Sequence, residues 1–182
     1  MGGMAELRSV HTADLDEACR RAARSLLWDV FAEEDPMTEE DWEHCLGGLH
    51  VLAWEGDRLV GHAALVMRRL LLGDRALRTG YVEGVAVSRD RQGQGVGGAL
   101  MAEVERVVRA AYDLGALGAS EVGRPFYAAR GWKLWPAPTG VLTSTGVRPT
   151  PEADGWIFYY PVTAHLDLTG TLICEPRPGE AW

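Results

Sequence analysis

Tyr81-Val82-Glu83-Gly84-Val85-Ala86-Val87-Ser88-Arg89-Asp90-Arg91-Gln92-Gly93-Gln94-Gly95-Val96-Gly97-Gly98 runs from an apolar segment through a polar bend into a cluster of glycines. Tyr81 to Val87 reads as a strand, Ser88 to Arg91 as a short polar bend, and Gln92 to Gly98 as a glycine cradle. An amphipathic helix follows, with Leu100, Val104, Val107, Val108, Ala111 and Leu114 on one face and Glu103, Arg106 and Arg109 outside. Glycines let the backbone approach a ligand closely, and a helix beginning at that point leaves unpaired N–H groups facing it. Strand, glycine turn and helix start in that order point to a bound pyrophosphate.

Two patterns compete for that pyrophosphate. Gly93-Gln94-Gly95-Val96-Gly97-Gly98 satisfies the dinucleotide pattern G-x-G-x-x-G, with Glu121 standing in for the ribose-binding acid. That reading wants the first glycine directly after the strand of a first βαβ unit, whereas here a charged bend intervenes and little chain follows. The other pattern is Gln92-x-x-Gly95-x-Gly97 preceded by Val85-Ala86-Val87. Together these resemble the acetyl-coenzyme A site of the GNAT superfamily of N-acetyltransferases. A separate segment, Phe126-Tyr127-Ala128-Ala129-Arg130-Gly131-Trp132, looks like that superfamily's F-Y-x-x-x-G-F segment.

Upstream, Asp14 and Glu17 form a capping-box-like start to a helix carrying Leu15, Cys19, Ala22, Leu26 and Val30, expected to run to about Phe31. Glu33-Glu34-Asp35-Pro36 breaks it, and Thr38 with Asp41 opens a second short helix closed by Gly47-Gly48. From Leu49 the period becomes that of strands: Leu49 to Trp54, Leu59 to Leu72 and Leu77 to Val87, with turns at Gly56-Asp57 and Gly73-Asp74. Beyond the long helix, Ala116 to Ser120 reads as a buried strand, Pro125 to Arg130 as a brief helix, and Trp132 to Trp135 as a strand start. Trp156 to Val162 reads as the last clear strand, and Thr163 to Trp182 shows no strong period. The expectation is a single α/β domain over residues 1–182.

Composition narrows the function. A chain of 182 residues with 47% hydrophobic and 24% charged residues suits a globular protein with a real core. The absence of a spanning apolar run or a signal-peptide start predicts a cytoplasmic protein with no membrane partner. Cys19, Cys45 and Cys174 are odd in number and lack C-x-x-C spacing, so they read as reduced packing residues. His44, His50 and His62 lack ligand spacing, so no metal is expected. The net charge of −8 argues against nucleic acid and favours a cationic substrate.

The resemblance extends further. Asp41-Trp42-Glu43-His44, Gly47-Gly48, Tyr81 to Val87, Tyr112-x-Leu114-Gly115-Ala116-Leu117 and the terminal tryptophan are similar to aminoglycoside 2'-N-acetyltransferases. It implies the GNAT fold, an α+β arrangement with a central, mixed, mostly antiparallel sheet flanked by helices. It also implies acetyl-coenzyme A as co-substrate, direct transfer to the 2'-amine of an aminoglycoside in a ternary complex, antibiotic resistance, and a homodimer.

The chemistry distributes roles among these residues. An ammonium must lose a proton before attacking a thioester, and Glu83 is the candidate base, directly or through water. N–H groups of Val85, Ala86 and Val87 suit the carbonyl oxygen as it gains charge. By resemblance to the F-Y-x-x-x-G-F segment, Tyr127 suits the departing thiolate. Gln92, Gly93, Gln94, Gly95, Val96 and Gly97 would hold the pyrophosphate, with Arg89 or Arg91 adding charge. By resemblance Asp35, Asp41, Glu83, Gly84, Gly118, Asp154, Glu180 and Trp182 line the pocket of a polycationic sugar. Gly118 stands where the resembled enzymes carry serine, and Ala153 replaces an acid between Glu152 and Asp154. Two other readings keep the coenzyme site: acetylation of another small polyamine or amino sugar, and a non-catalytic acyl-coenzyme A binding module.

Overall fold

Ten strands and four helices make up the computed structural model, which describes residues 5–33, 36–162 and 165–182. The strands are β1 Glu6–His11, β2 Leu49–Glu55, β3 Arg58–Leu72, β4 Arg75–Val87, β5 Leu114–Gly118, β6 Lys133–Leu134, β7 Thr139–Thr143, β8 Gly146–Pro149, β9 Ile157–Pro161 and β10 Leu172–Cys174. The helices are α1 Glu17–Val30, α2 Glu39–His44, α3 Val96–Ala111 and α4 Arg124–Ala129. Hydrogen bonding orders the strands β6-β9-β5-β4-β3-β10-β7-β8, with β2 also on β3 and β1 on β2. The fold is α+β with a mixed sheet. Two compact units divide it, Met1–Val66 with Val82–Arg106 and Met67–Tyr81 with Val107–Trp182.

In the first unit, β1, β2 and the start of β3 form an antiparallel meander. β3 is buried on both faces from Leu59 to Val66, which is why its sequence reads as an apolar run interrupted only by His62 rather than an alternation. Ala23, Leu26 and Leu27 of α1 fall at helical spacing and pack with Trp42, Cys45, Leu52, Leu59, Ala64 and Ala86 into one core cluster. The cap of α1 is Asp16, whose carboxylate accepts from the Cys19 N–H at 2.7 Å, whereas Asp14 closes a 3-10 turn over Thr12–Asp14. The box predicted at Asp14 is thus corrected by two residues. The second box is present: Thr38 and Asp41 exchange hydrogen bonds at the start of α2.

The second unit is built on β5, parallel to the start of β4 and antiparallel to β9, with β6 added beyond β9. Gly115 lets this layer close, since a Cβ there would stand 2.9 Å from the buried Trp132 ring. On the other side, β10 runs antiparallel to the end of β3 and parallel to β7, which forms a hairpin with β8. The strands β7, β8 and β10 were not anticipated. β5 also begins at Leu114 rather than Ala116, and β6 holds only two residues.

Candidate active site

β4 is buried from Thr79 to Val82 and then opens: Glu83, Gly84 and Val85 are half-buried before Ala86 is buried again. Gly84 has φ +55°, a left-handed residue inside a strand, and a Cβ there would stand 2.8 Å from Cys45 Sγ. Only glycine combines that backbone with that space. The strand therefore kinks immediately after Glu83, and the main chain of Val85–Val87 leaves the kink.

The cradle after β4 is framed by ion pairs. Arg58 donates to both carboxylate oxygens of Asp90 at 2.8 and 2.7 Å, and Arg91 donates through Nε to Glu55 at 2.8 and 2.9 Å. The Arg58 hydrogen bond is the main reason Asp90 stays far below the usual carboxylate range. The Gln92 amide donates to the Val87 carbonyl at 3.1 Å and the Gln94 amide to the Asp90 carbonyl at 2.8 Å. Both glutamines brace the loop with their side chains, so what they offer outward is main chain. Gly93 and Gly95 are exposed with φ +73° and +89°, and a Cβ on either would meet open space. α3 begins at Val96 with the unpaired N–H groups that every helix start carries. The arginines expected to add charge here are spent differently: Arg91 on Glu55, and Arg89 on Glu33 at 3.3 Å and the Asp29 carbonyl at 3.2 Å.

In the second unit, Tyr127 on α4 is buried edge-on against Trp132, with ring centroids 6.2 Å apart. Burial pushes its hydroxyl up to about 12, so it keeps its proton at neutral pH and remains a donor. Asp154 accepts through Oδ1 from the Thr139 N–H at 2.8 Å and lies 2.9 Å from the Thr139 hydroxyl. The Trp182 indole donates to the Thr150 hydroxyl at 2.9 Å, itself 2.8 Å from that of Thr139. A threonine pair thus joins Asp154 to Trp182. The buried Arg68 donates to Glu175 at 2.9 Å and to the Ala181 carbonyl at 2.7 Å, tethering the chain between Glu180 and Trp182. No sequence motif marks this anchor, whose partners Arg68 and Glu175 stand 107 residues apart.

Gly118 ends β5 exposed, with nothing within 4 Å of a Cβ. Ala153 is buried at 8% exposure, facing away from solvent where its neighbours Glu152 and Asp154 are exposed. Asp41 spends Oδ2 on the Thr38 N–H and hydroxyl, both at 2.8 Å, so part of that carboxylate serves the helix start. Asp35 lies outside the described residues.

A family model for the acetyltransferase (GNAT) domain matches residues 6–135. The chain belongs to the GNAT acetyltransferase family. An aminoglycoside 2'-N-acetyltransferase of Mycolicibacterium fortuitum is 47% identical over 179 residues, covering 96% of this chain and 91% of that one. Among solved structures, Escherichia coli ElaA superposes with a TM-score of 0.60 at 24% identity, covering 86% of this chain and 99% of its own. A GNAT acetyltransferase from Brucella melitensis in complex with acetyl-CoA superposes with a TM-score of 0.62 at 15% identity, covering 92% and 94%. At these identities the two structures speak for the GNAT fold alone. No helix among the described residues is long and apolar enough to cross a membrane.

Proposed function

We propose that this GNAT chain transfers an acetyl group from acetyl-coenzyme A to the 2'-amine of an aminoglycoside. The observation that carries the reading is the 47% identity to an aminoglycoside 2'-N-acetyltransferase across nearly the whole chain. The coenzyme supplies an activated acetyl thioester. The exposed cradle of Gln92, Gly93, Gln94, Gly95, Val96 and Gly97 suits its pyrophosphate, because the glycines there have open space and the helix start offers main-chain donors.

Glu83 takes the proton that the substrate ammonium must lose before its nitrogen attacks the thioester carbonyl. Main-chain N–H groups of Val85, Ala86 and Val87 take up charge on the carbonyl oxygen. As the new C–N bond forms and the C–S bond breaks, the nitrogen gives up its second proton, which ends on the departing sulfur, and the Tyr127 hydroxyl, protonated at neutral pH, hydrogen-bonds that sulfur. Asp35, Asp41, Gly84, Gly118, Asp154, Glu180 and Trp182 are assigned to the polycationic sugar on the resemblance to aminoglycoside 2'-N-acetyltransferases. The protein acts as a homodimer in the cytoplasm, and light scattering of the purified chain tests the first of these.

Purified protein is mixed with acetyl-coenzyme A and either tobramycin, which bears a 2'-amine, or kanamycin A, which bears a 2'-hydroxyl. Release of free thiol with tobramycin alone is expected. Equal release with both overturns the regiochemistry, and release with neither overturns the aminoglycoside reading. A second reading, another small polyamine or amino sugar as acceptor, draws on Gly118, which leaves bare a position where the resembled enzymes carry serine.

A further inference from the structure

Two histidines that no motif joins meet inside the first unit. His50 on β2 and His62 on β3 are both fully buried. The register pairs His50 with Ala64 and Leu52 with His62, so the rings are diagonal neighbours on one face. His50 Nδ1 lies 3.0 Å from His62 Nε2. At the outer ends, the Thr12 hydroxyl lies 2.8 Å from His50 Nε2, and His62 Nδ1 lies 2.7 Å from the Gly84 carbonyl oxygen.

The proton positions in this row follow from its last member. A carbonyl only accepts, so His62 Nδ1 must carry hydrogen. Burial keeps both rings neutral, pushing His50 down to about 3, with further help from His62, Arg20 and His11, and His62 down to about 4 against the Gly84 carbonyl's opposing pull. His62 Nε2 is then bare and accepts from His50 Nδ1–H, and His50 Nε2 accepts from the Thr12 hydroxyl. That hydroxyl's oxygen accepts in turn from the N–H groups of Gly47 at 2.9 Å and Gly48 at 3.3 Å. Trp42 closes the side of both rings, its centroid 6.2 Å from His50 and 6.4 Å from His62.

The row ends on the residue where β4 kinks. A left-handed residue inside a strand persists only where its surroundings hold it. The Cys45 sulfur excludes a side chain at Gly84, and the His62 N–H holds the Gly84 carbonyl.

We propose that His62, oriented by His50 and Thr12, is a positioning residue that clamps the Gly84 carbonyl and so sets the kink that aims Glu83 and the Val85–Val87 amides. The proposal rests on the reading of Glu83 as base. Misplacement of such groups by about an ångström costs on the order of a hundredfold in rate.

Asn and Gln divide the ring's two functions: the amide of Asn stands near the place of Nδ1, and that of Gln near the place of Nε2. His62→Asn is expected to keep kcat within about threefold of the parent, and His62→Gln to lose on the order of tenfold to a hundredfold. KM for acetyl-coenzyme A stays unchanged in both, and their thermal midpoints match. Equal loss of kcat in both variants, or parental kcat in His62→Gln, overturns the proposal. Nitrogen-15 NMR of the unmodified protein gives a second test, independent of variant folding. Both rings are expected as Nδ1–H tautomers with bare Nε2 from about pH 7 to about pH 5, and a ring protonated on Nε2 overturns it. Glu83→Gln is measured alongside. Parental turnover in that variant removes the base reading, while the tautomers and the Asn/Gln split still judge the clamp on its own evidence.

Discussion

Arg58 meets Asp90 fork to fork at 2.7 and 2.8 Å, fastening the turn before the glycine cradle to the first residue of β3. The same carboxylate also takes Arg91 Nη1 at 3.0 Å, and the Asp90 carbonyl takes the Gln94 amide. One acidic residue therefore ties a strand to the glycine loop. Arg58→Met is expected to raise KM for acetyl-coenzyme A by about fivefold to tenfold with kcat held, because the lost bidentate pair shapes a binding turn and not the reacting centre. The pair is half-exposed, so the melting temperature should hardly move. Steady-state kinetics with varied coenzyme checks this, and a fall in kcat at constant KM would contradict it.

Gly84→Ala should be among the most damaging single changes in the first unit. It forces a side chain into φ +55° and to 2.8 Å from Cys45 Sγ. Left-handed strain alone costs about 1 kcal/mol or more, and overpacking adds about 1 to 3 kcal/mol. Denaturant melts should show a loss of about 2 to 4 kcal/mol, together with a collapse of turnover.

Gly118→Ser should be tolerated by the fold, since a Cβ there meets nothing within 4 Å. If that position faces the sugar, the new hydroxyl lowers the aminoglycoside KM by a fewfold, about one neutral hydrogen bond, without altering the coenzyme KM. An unchanged aminoglycoside KM would remove Gly118 from the substrate site.

Acid should weaken the protein before its carboxylates titrate. The folded-state pKa of His62, about 4, lies below its ordinary value of 6.5, so between these values the unfolded chain binds the extra proton. This contribution is intact above the ordinary value and is lost as pH falls towards the folded one. It amounts to about 3 kcal/mol for His62, and His50 acts in the same direction. Denaturant midpoints should fall between about pH 6.5 and about pH 4.5, and a His50→Asn/His62→Asn double variant should lose less over that interval.

The meander β2–β4, the cradle and α3 were legible in the sequence because their apolar periods are long and their turns are glycine-marked. Leu114 shows how a period misleads: it continues the apolar face of α3, yet α3 ends at Ala111. Two hydrogen bonds draw the chain against β4 instead, Asp113 N–H to the Arg78 carbonyl at 2.7 Å and Arg78 N–H to the Asp113 carboxylate at 2.8 Å. β8 escaped because every residue in it is exposed, which leaves no alternation to read, and β10 because it has only three residues. As candidates, Glu83, Gly84 and Tyr127 were readable because each lies in a local motif. The His50–His62 row was not, because strand register creates it, nor was the Arg68 to Glu175 tie, whose partners stand 107 residues apart.

Acetylation of a single amine is the activity proposed for this chain. The direct measurement is NMR of the product formed from tobramycin and acetyl-coenzyme A by the purified protein. One acetyl group, on the 2'-nitrogen, is expected; an acetyl group on any other amine, or unmodified tobramycin after prolonged incubation, would overturn the assignment.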